Sequence, residues 1–357
     1  MTTVTITGRT VIGGKLQIIG ELSPASYWVV GEDSGTGDVG YAANTDRTSW
    51  TFYDRMPSNS AAIDGAYGKD ANGNGVYVFS NSSSARELAR SSTDITDGNA
   101  WTYIDLPSTG QFCDAVTWGN DAADSTSGVW LVGRRNGHVY RSTDGAVSFS
   151  EITLPNDSGD RILSIAGNGF GKFVTGQQGR LLISTDDGAS FSSSTPFTAE
   201  FINGVAYTND TWVVTYTKSG ENNLFLRSAS NTDLTTWSSE VDLGINKPSN
   251  GDGVNDPGPR ANLAAQGGRV VITPNKQAAI ARIDVDGTTT SNLANPTYSG
   301  SGIRDITTDG STWMIVTEGG DIYESTDKGA TFSQTVDDIR GTGRGLHCVA
   351  ASKYLPL

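Results

Sequence analysis

Short runs of β-branched and aromatic residues recur along the chain: Tyr27 to Val30, Val76 to Phe79, Val129 to Val132, Lys172 to Thr175, Trp212 to Thr215, Val270 to Thr273 and Trp313 to Val316. Each predicts a short strand. A second set of strands precedes these runs, and its registers align on one polar position per copy: Asp64, Asp114, Ser164, Asn203, Asn262 and Asp305. The seventh member of that set is missing near the amino end and stands instead at the other end, in His347 to Ser352. The last strand is therefore predicted to complete the first unit, and a ring closed by both ends of one chain has no free sheet edge.

Downstream of each apolar run lies a turn, and three of the turns are nearly the same. Tyr140 to Phe149 reads YRSTDGAVSF, Leu182 to Phe191 reads LISTDDGASF, and Tyr323 to Phe332 reads YESTDKGATF. Asp and Ser side chains satisfy turn amides locally, Gly supplies a positive φ, and the closing aromatic starts the returning strand. Asn44 to Trp50 and Asn231 to Trp237 are shortened versions, Ser92 to Trp101 is a lengthened one, and Asp284 to Thr290 is degenerate. The residues so paired are Asp46 with Trp50, Asp94 with Trp101, Asp144 with Phe149, Asp186 with Phe191, Asp233 with Trp237 and Asp327 with Phe332. Counting the degenerate copy, the spacing is roughly 40–50 residues, which suits one propeller blade per repeat.

The Ser-x-Asp-x-Gly-x-Ser/Thr-aromatic pattern resembles the Asp-box, or BNR, repeat of sialidase-like and photosystem-assembly-factor-like β-propellers. That resemblance implies a fold more than an activity, with the Asp turns at the blade periphery and away from the channel where ligands usually bind. The expected fold is all-β: a seven-bladed β-propeller over residues 22–357, with an N-terminal β-hairpin arm over residues 1–21. Residues 345–354 should close the ring. Pro57, Pro107, Pro155, Pro196 and Pro296 follow the predicted outermost strands, where proline ends pairing and steers the chain to the next blade.

Composition agrees. A chain of 357 residues ordinarily suggests more than one domain, yet a repeat ring uses all of it as one. No run is apolar enough to span a membrane as a helix, and Met1-Thr-Thr-Val lacks the basic-then-apolar start of a secretory signal. The formal net charge of −14 argues against nonspecific nucleic-acid binding, which needs clustered Lys and Arg. Cys113 and Cys348 fall on inner strands of blades that are not neighbours, so they are expected as small buried residues without a disulfide.

Two segments depart from the repeat. Thr3 to Thr7 alternates, and Thr10-Val-Ile12 and Lys15 to Ile19 flank Gly13-Gly14, which predicts a hairpin ahead of the ring. It can add a strand to the first or last blade, or act as an arm that docks on a partner's sheet. Gly244 to Arg260 reads as a long connection between the fifth and sixth blades. Its Asn250, Asp252 and Asn255 do not match a calcium-loop spacing.

No catalytic set emerges. The resemblance to sialidases implies an Arg triad, a Tyr nucleophile with Glu, an Asp acid/base and a Phe/Tyr-Arg-Ile-Pro motif, and that tetrapeptide does not occur. Arg260 and Arg340 are isolated and cannot be assigned to a triad by spacing. His138, just before a peripheral turn, is expected at the surface, and with His347 on another blade it makes neither a triad nor a metal set. The channel-ring candidates Asp64, Asp114, Asn203, Asn262 and Asp305, with Ser164, have two readings. They gather a cation or waters in the bore, or, as buried polar groups must find partners, each bonds the neighbouring blade's backbone.

Three function classes follow. The first is a non-enzymatic structural or host-recognition propeller of a bacteriophage particle (tail, fibre or capsid-associated), without cofactor, oligomeric, and partnered by other virion proteins or a host surface glycan. Its support is the Gly, Ser, Thr, Asn and Asp richness, the scarcity of Lys, Met and Cys, and the strand arm. The second is an extracellular propeller that binds or cleaves glycans. The third is an assembly factor like the photosystem-type relatives.

Overall fold

A computed structural model describes residues 10–12, 15–17, 26–32, 38–54, 60–82, 87–92, 94–97, 99, 101–107, 112–120, 128–155, 159–248, 259–296, 298–341 and 344–352. The described elements are all strands, which form seven four-stranded antiparallel sheets and one two-stranded hairpin. Among these residues no helix is long and apolar enough to cross a membrane.

Each four-stranded sheet is one blade, with its strands ordered from the channel outward. Blade 1 is Leu346–Ala351, Tyr27–Glu32, Asp38–Ala43 and Asp46–Asp54. Blade 2 is Ala62–Lys69, Gly75–Asn81, Leu88–Ser91 and Trp101–Ile104. Blade 3 is Cys113–Asn120, Gly128–Arg134, Val139–Ser142 and Ser150–Ile152. Blade 4 is Ile165–Gly167, Phe173–Gln177, Arg180–Ser184 and Ser192–Ser194. Blade 5 is Phe201–Thr208, Thr211–Thr217, Asn223–Ser230 and Val241–Asn246. Blade 6 is Ala261–Gln266, Arg269–Pro274, Ala281–Asp286 and Thr289–Asn292. Blade 7 is Ile303–Thr308, Trp313–Thr317, Ile322–Ser325 and Ser333–Val336.

The ring closes as the repeat predicts. The C-terminal strand pairs with the second strand of blade 1, Val30 opposite Val349 and Trp28 opposite Ala351. Ser352 N–H then donates to the Tyr27 carbonyl at 3.0 Å, and Tyr27 N–H to Ser352 Oγ at 2.9 Å. Each innermost strand packs against the next around the whole ring, blade 7 against blade 1 included.

The core is divided rather than central. Among the described residues, seven buried apolar clusters lie one at each blade junction, such as Val174, Leu181, Ile202, Val205 and Trp212 between blades 4 and 5. Thin sheets bury both faces this way, which is why continuous apolar runs rather than strict alternation mark the second strands. Close approach also demands glycine: a Cβ on Gly133 would stand 2.3 Å from Cγ2 of Ile162, on the approach to blade 4.

Several expectations need revision. Gly244 to Asn246 belongs to the outermost strand of blade 5 instead of a loop, because Ile245 is buried against blade 6; residues 249–258, including Asn250, Asp252 and Asn255, lie outside the described residues. In blade 6 the Asp284 to Thr290 segment forms a tight hairpin with Asp286 directly opposite Thr289 and Gly287 at φ 57°, not a stapled Asp turn. The amino-terminal hairpin pairs Thr10–Ile12 with Lys15–Gln17, which among the described residues form a two-stranded sheet of their own. Thr3 to Thr7 and Pro57 lie outside the described residues.

Candidate functional site in the central channel

The aligned polar positions meet around the bore, and each reaches the blade that follows it. His347 Nδ1 lies 3.0 Å from the Ala62 carbonyl of blade 2, which can only accept, so that nitrogen carries the proton. Asp64 Oδ2 accepts from Val116 N–H of blade 3 at 2.8 Å. Asp114 accepts from Arg161 Nε, on the approach to blade 4, at 2.9 Å, and from Arg135 Nε at 3.0 Å. Ser164 Oγ accepts from Val205 N–H of blade 5 at 3.1 Å. Asn203 donates to the Pro259 carbonyl before blade 6, and Asn262 Nδ2 to the Arg304 carbonyl of blade 7 at 2.6 Å. Asp305 Oδ2 accepts from Val349 N–H of blade 1 at 2.9 Å and completes the circle.

Local backbone explains how one position can reach forward in most copies. The innermost strand breaks register at this point in blades 1, 2, 3, 5 and 7, between Cys348 and Leu346, Ala62 and Asp64, Cys113 and Ala115, Ile202 and Gly204, and Ile303 and Asp305. Such a bulge turns a side chain out of the regular alternation. Here it aims the polar group along the ring instead of into an apolar junction.

Arg260 is the residue that sequence spacing could not place. It stands just before the innermost strand of blade 6 and crosses the bore to the far side. Its Nη2 donates to Asp64 Oδ1 at 2.6 Å, and its Nη1 approaches the carbonyls of Asp114 at 3.2 Å and Ile63 at 3.4 Å. Burial works against the charge, yet Asp64 and Asp305 together hold the guanidinium above its ordinary value. Burial pushes Asp305 up to about 7, with Arg260 opposing and Asp64 reinforcing the shift. Burial also raises Asp114 against the opposing charges of Arg161 and Arg135.

A channel cavity of about 360 Å³ runs from this charged end along the innermost strands. Asp64, Arg260, Asn262 and Asp305 line one end; Ala66, Ala166 and Ala206 line the wall; Tyr67, Trp118, Asn168 and Tyr207 line the strand ends. Asn262 is 3 % exposed and its Oδ1 has no hydrogen-bond partner. At the mouth, Asn168 Oδ1 accepts from both Phe170 N–H and Lys172 N–H, which holds Phe170 on a tight tip at 73 % exposure. Among the described residues, no group of three or more His, Cys, Asp or Glu side chains is placed to hold a metal ion.

At the periphery the six aspartates bond their own turns. Asp144 Oδ1 accepts from Val147 and Ser148 N–H at 3.0 Å, and Asp186 and Asp327 make the corresponding bonds to Ser190 and to Ala330 and Thr331. Asp46, Asp94 and Asp233 accept from the N–H and hydroxyl of Thr48, Thr96 and Thr235. The Thr235 hydroxyl leads the bonds that hold Asp233 at about 2; for Asp327 burial pushes upward, and the bonds from Thr331, Ser325 and Ala330 outweigh it to give about 2. Phe149 and Phe191 are buried, while Trp50, Trp101, Trp237 and Phe332 are half-buried or pack on the core edge. The turn carbonyls also tie blades together: Arg90 Nε donates to Gly145 O and Arg141 Nε to Asp187 O of the following blade, both at 2.7 Å.

Other polar clusters serve packing. Tyr216 donates to Glu240 at 2.6 Å and accepts from Arg227 at 3.1 Å; Tyr140 stands likewise between Glu151 and Arg134, each at 3.1 Å. Both tyrosines are fully buried, and burial, with Glu240, raises the Tyr216 phenol, the opposite of what a tyrosinate nucleophile needs. Arg340 bridges the closing junction, 3.1 Å from Glu32 and bonded to Asp38, and burial pushes Glu32 up to about 7. His138 is partly exposed beside Glu151 at 2.9 Å. Both cysteines are buried free thiols, Cys113 pushed up to about 12 by burial.

No protein-family model matches the chain, and no curated protein matches it by sequence. Solved structures do match in fold. A structure of YCF48 bound to D1 peptide superposes with a TM-score of 0.55 at 15% identity, covering 82% of this chain and 86% of that one. YCF48 from Cyanidioschyzon merolae gives 0.50 at 12% identity, covering 78% and 86%. A nidogen/laminin complex gives 0.50 at 8% identity, covering 92% and 98%. At such identities the likeness is one of fold alone.

Proposed function

We propose that this chain is a non-enzymatic binding and structural propeller, a component of a bacteriophage particle such as a tail, fibre or capsid-associated protein. The observation that carries the non-catalytic part is the use of the channel's polar ring as seven forward latches, from His347 to Ala62 through Asp305 to Val349. Six of the seven are tied to backbone groups of the following blade or of the segment entering it, and Asp114 to Arg161, so the ring serves to hold blades together. The peripheral aspartates are likewise engaged by their own turns, as in the Asp-box repeat they resemble. Partner contacts fall to the blade loops and to the hairpin, a two-stranded sheet of the kind that can add to a partner's sheet.

The assembly-factor reading is the second choice, favoured by the fold likeness to YCF48, a structure of which holds D1 peptide. Removal of residues 1–21 separates the readings. On the particle reading the truncated protein folds as a ring with an unchanged thermal transition and no longer enters particles or oligomers, measured by sedimentation. Assembly that survives the truncation, or hydrolysis of fluorogenic glycosides by the intact chain, overturns it.

A further inference from the structure

The charged end of the channel is unbalanced. Among the described residues that line the cavity, Arg260 is the one cation and faces two carboxylates, Asp64 and Asp305. Beside them the carbonyl oxygen of Asn262, a residue only 3 % exposed, accepts no hydrogen bond, since its amide nitrogen is committed to Arg304 O. The orientation of that amide is set by the Arg304 carbonyl, which can only accept. An acceptor left without a donor in a buried site costs about 1–3 kcal/mol. The surplus at this end is thus one carboxyl group, Asp305, and one oxygen acceptor, and the small residues Ala66, Ala166 and Ala206 are part of the wall above it.

We propose that the channel is a socket for a primary ammonium group on a slender apolar stem, a lysine side chain or a chain amino terminus presented by a partner protein. An ammonium supplies three N–H donors and one positive charge in a compact volume. It matches Asp305, Asp64 and the Asn262 oxygen, while its methylene stem lies against the alanine wall. Among the described residues a divalent metal finds no third carboxylate or imidazole grouped at this place. The net charge of −14 favours cationic partners at long range.

This rests on the ring being a binding module, and it concerns a site separate from the hairpin arm, so truncation of the arm leaves it intact. The test uses the full chain and n-hexylammonium chloride, with 1-hexanol and calcium chloride as comparisons, read by calorimetry and by amide chemical shifts. The expected result is saturable hexylammonium binding that moves the Val349 and Val205 amides, with 1-hexanol at least about tenfold weaker because it lacks the charge-assisted bonds. Asp305→Asn weakens hexylammonium by at least about tenfold. If that variant fails to fold, the wild-type shift map decides. Nα-acetyl-lysine methylamide and dialaninamide then distinguish a side-chain ammonium from a chain terminus. Equal binding of 1-hexanol, binding of calcium at the same amides, shifts confined to the outer strands, or no saturable binding each overturns the socket.

Discussion

The seven channel latches divide into two arcs. In blades 7, 1, 2 and 3 the latch residues are Asp305, His347, Asp64 and Asp114, all ionisable; in blades 4, 5 and 6 they are Ser164, Asn203 and Asn262, all neutral. Both arcs do the same geometric task of bonding the next blade. They differ in what burial costs. A neutral amide or hydroxyl needs only a hydrogen-bond partner, whereas a buried carboxylate also needs a countercharge. For Asp64 the neutral arc supplies it, Arg260 reaching across the bore from the start of blade 6, while Asp114 takes its countercharges from Arg135 and Arg161.

The largest effect that separates the arcs is expected from Arg260→Gln, which leaves Asp64 and Asp305 buried without their shared cation. Loss of one member of a buried ion pair costs about 3–5 kcal/mol, against about 1 kcal/mol for Asn262→Ala in the neutral arc. Chemical denaturation of the two variants measures the difference; equal losses would show that Arg260 is not the countercharge of the arc.

Next comes pH. Asp305 and Glu32 are held up at about 7, above the range where free carboxylic acids titrate. Between roughly pH 4 and 7 the folded chain therefore holds protons that the unfolded chain has released, so stability is greatest at the acid end of that window and falls as pH rises through it. A loss on the order of 2 kcal/mol between those limits is expected, absent in an Asp305→Asn/Glu32→Gln variant. Melting temperatures across the window that stay flat in the wild type, or fall equally in the variant, refute the assignment.

The smallest effect lies at the periphery. Asp327→Ala removes the acceptor of Ala330 and Thr331 N–H and should cost about 1 kcal/mol. The sign of its pH dependence is reversed: Asp327 is held at about 2, so its contribution is present above the free carboxylate range and lost as pH falls through about 2. Acid titration of this variant beside the wild type tests whether the inner and outer carboxylates act on opposite sides of neutrality.

Most of the architecture was legible in the residues. The apolar runs, the polar register from Asp64 to Asp305 and the displaced copy at His347 dictate seven units and a closure by the last strand, because strand period and repeat spacing are local properties of the chain. The turns were legible for the same reason, since Asp144, Asp186 and Asp327 bond amides at most four residues away. Local rules failed where the partner is distant in sequence. Asp284 to Thr290 kept the spacing of a turn but took a tighter hairpin, and Gly244 to Asn246 looked like a loop yet forms a strand, because Ile245 buries against blade 6. Arg260 was visible only as a lone arginine, its partners Asp64 and Asp114 being well over a hundred residues away. Spacing governs what neighbours along the chain can do; which charges share a bore, and which are left over, is decided only once the ring brings seven separated strands to one axis.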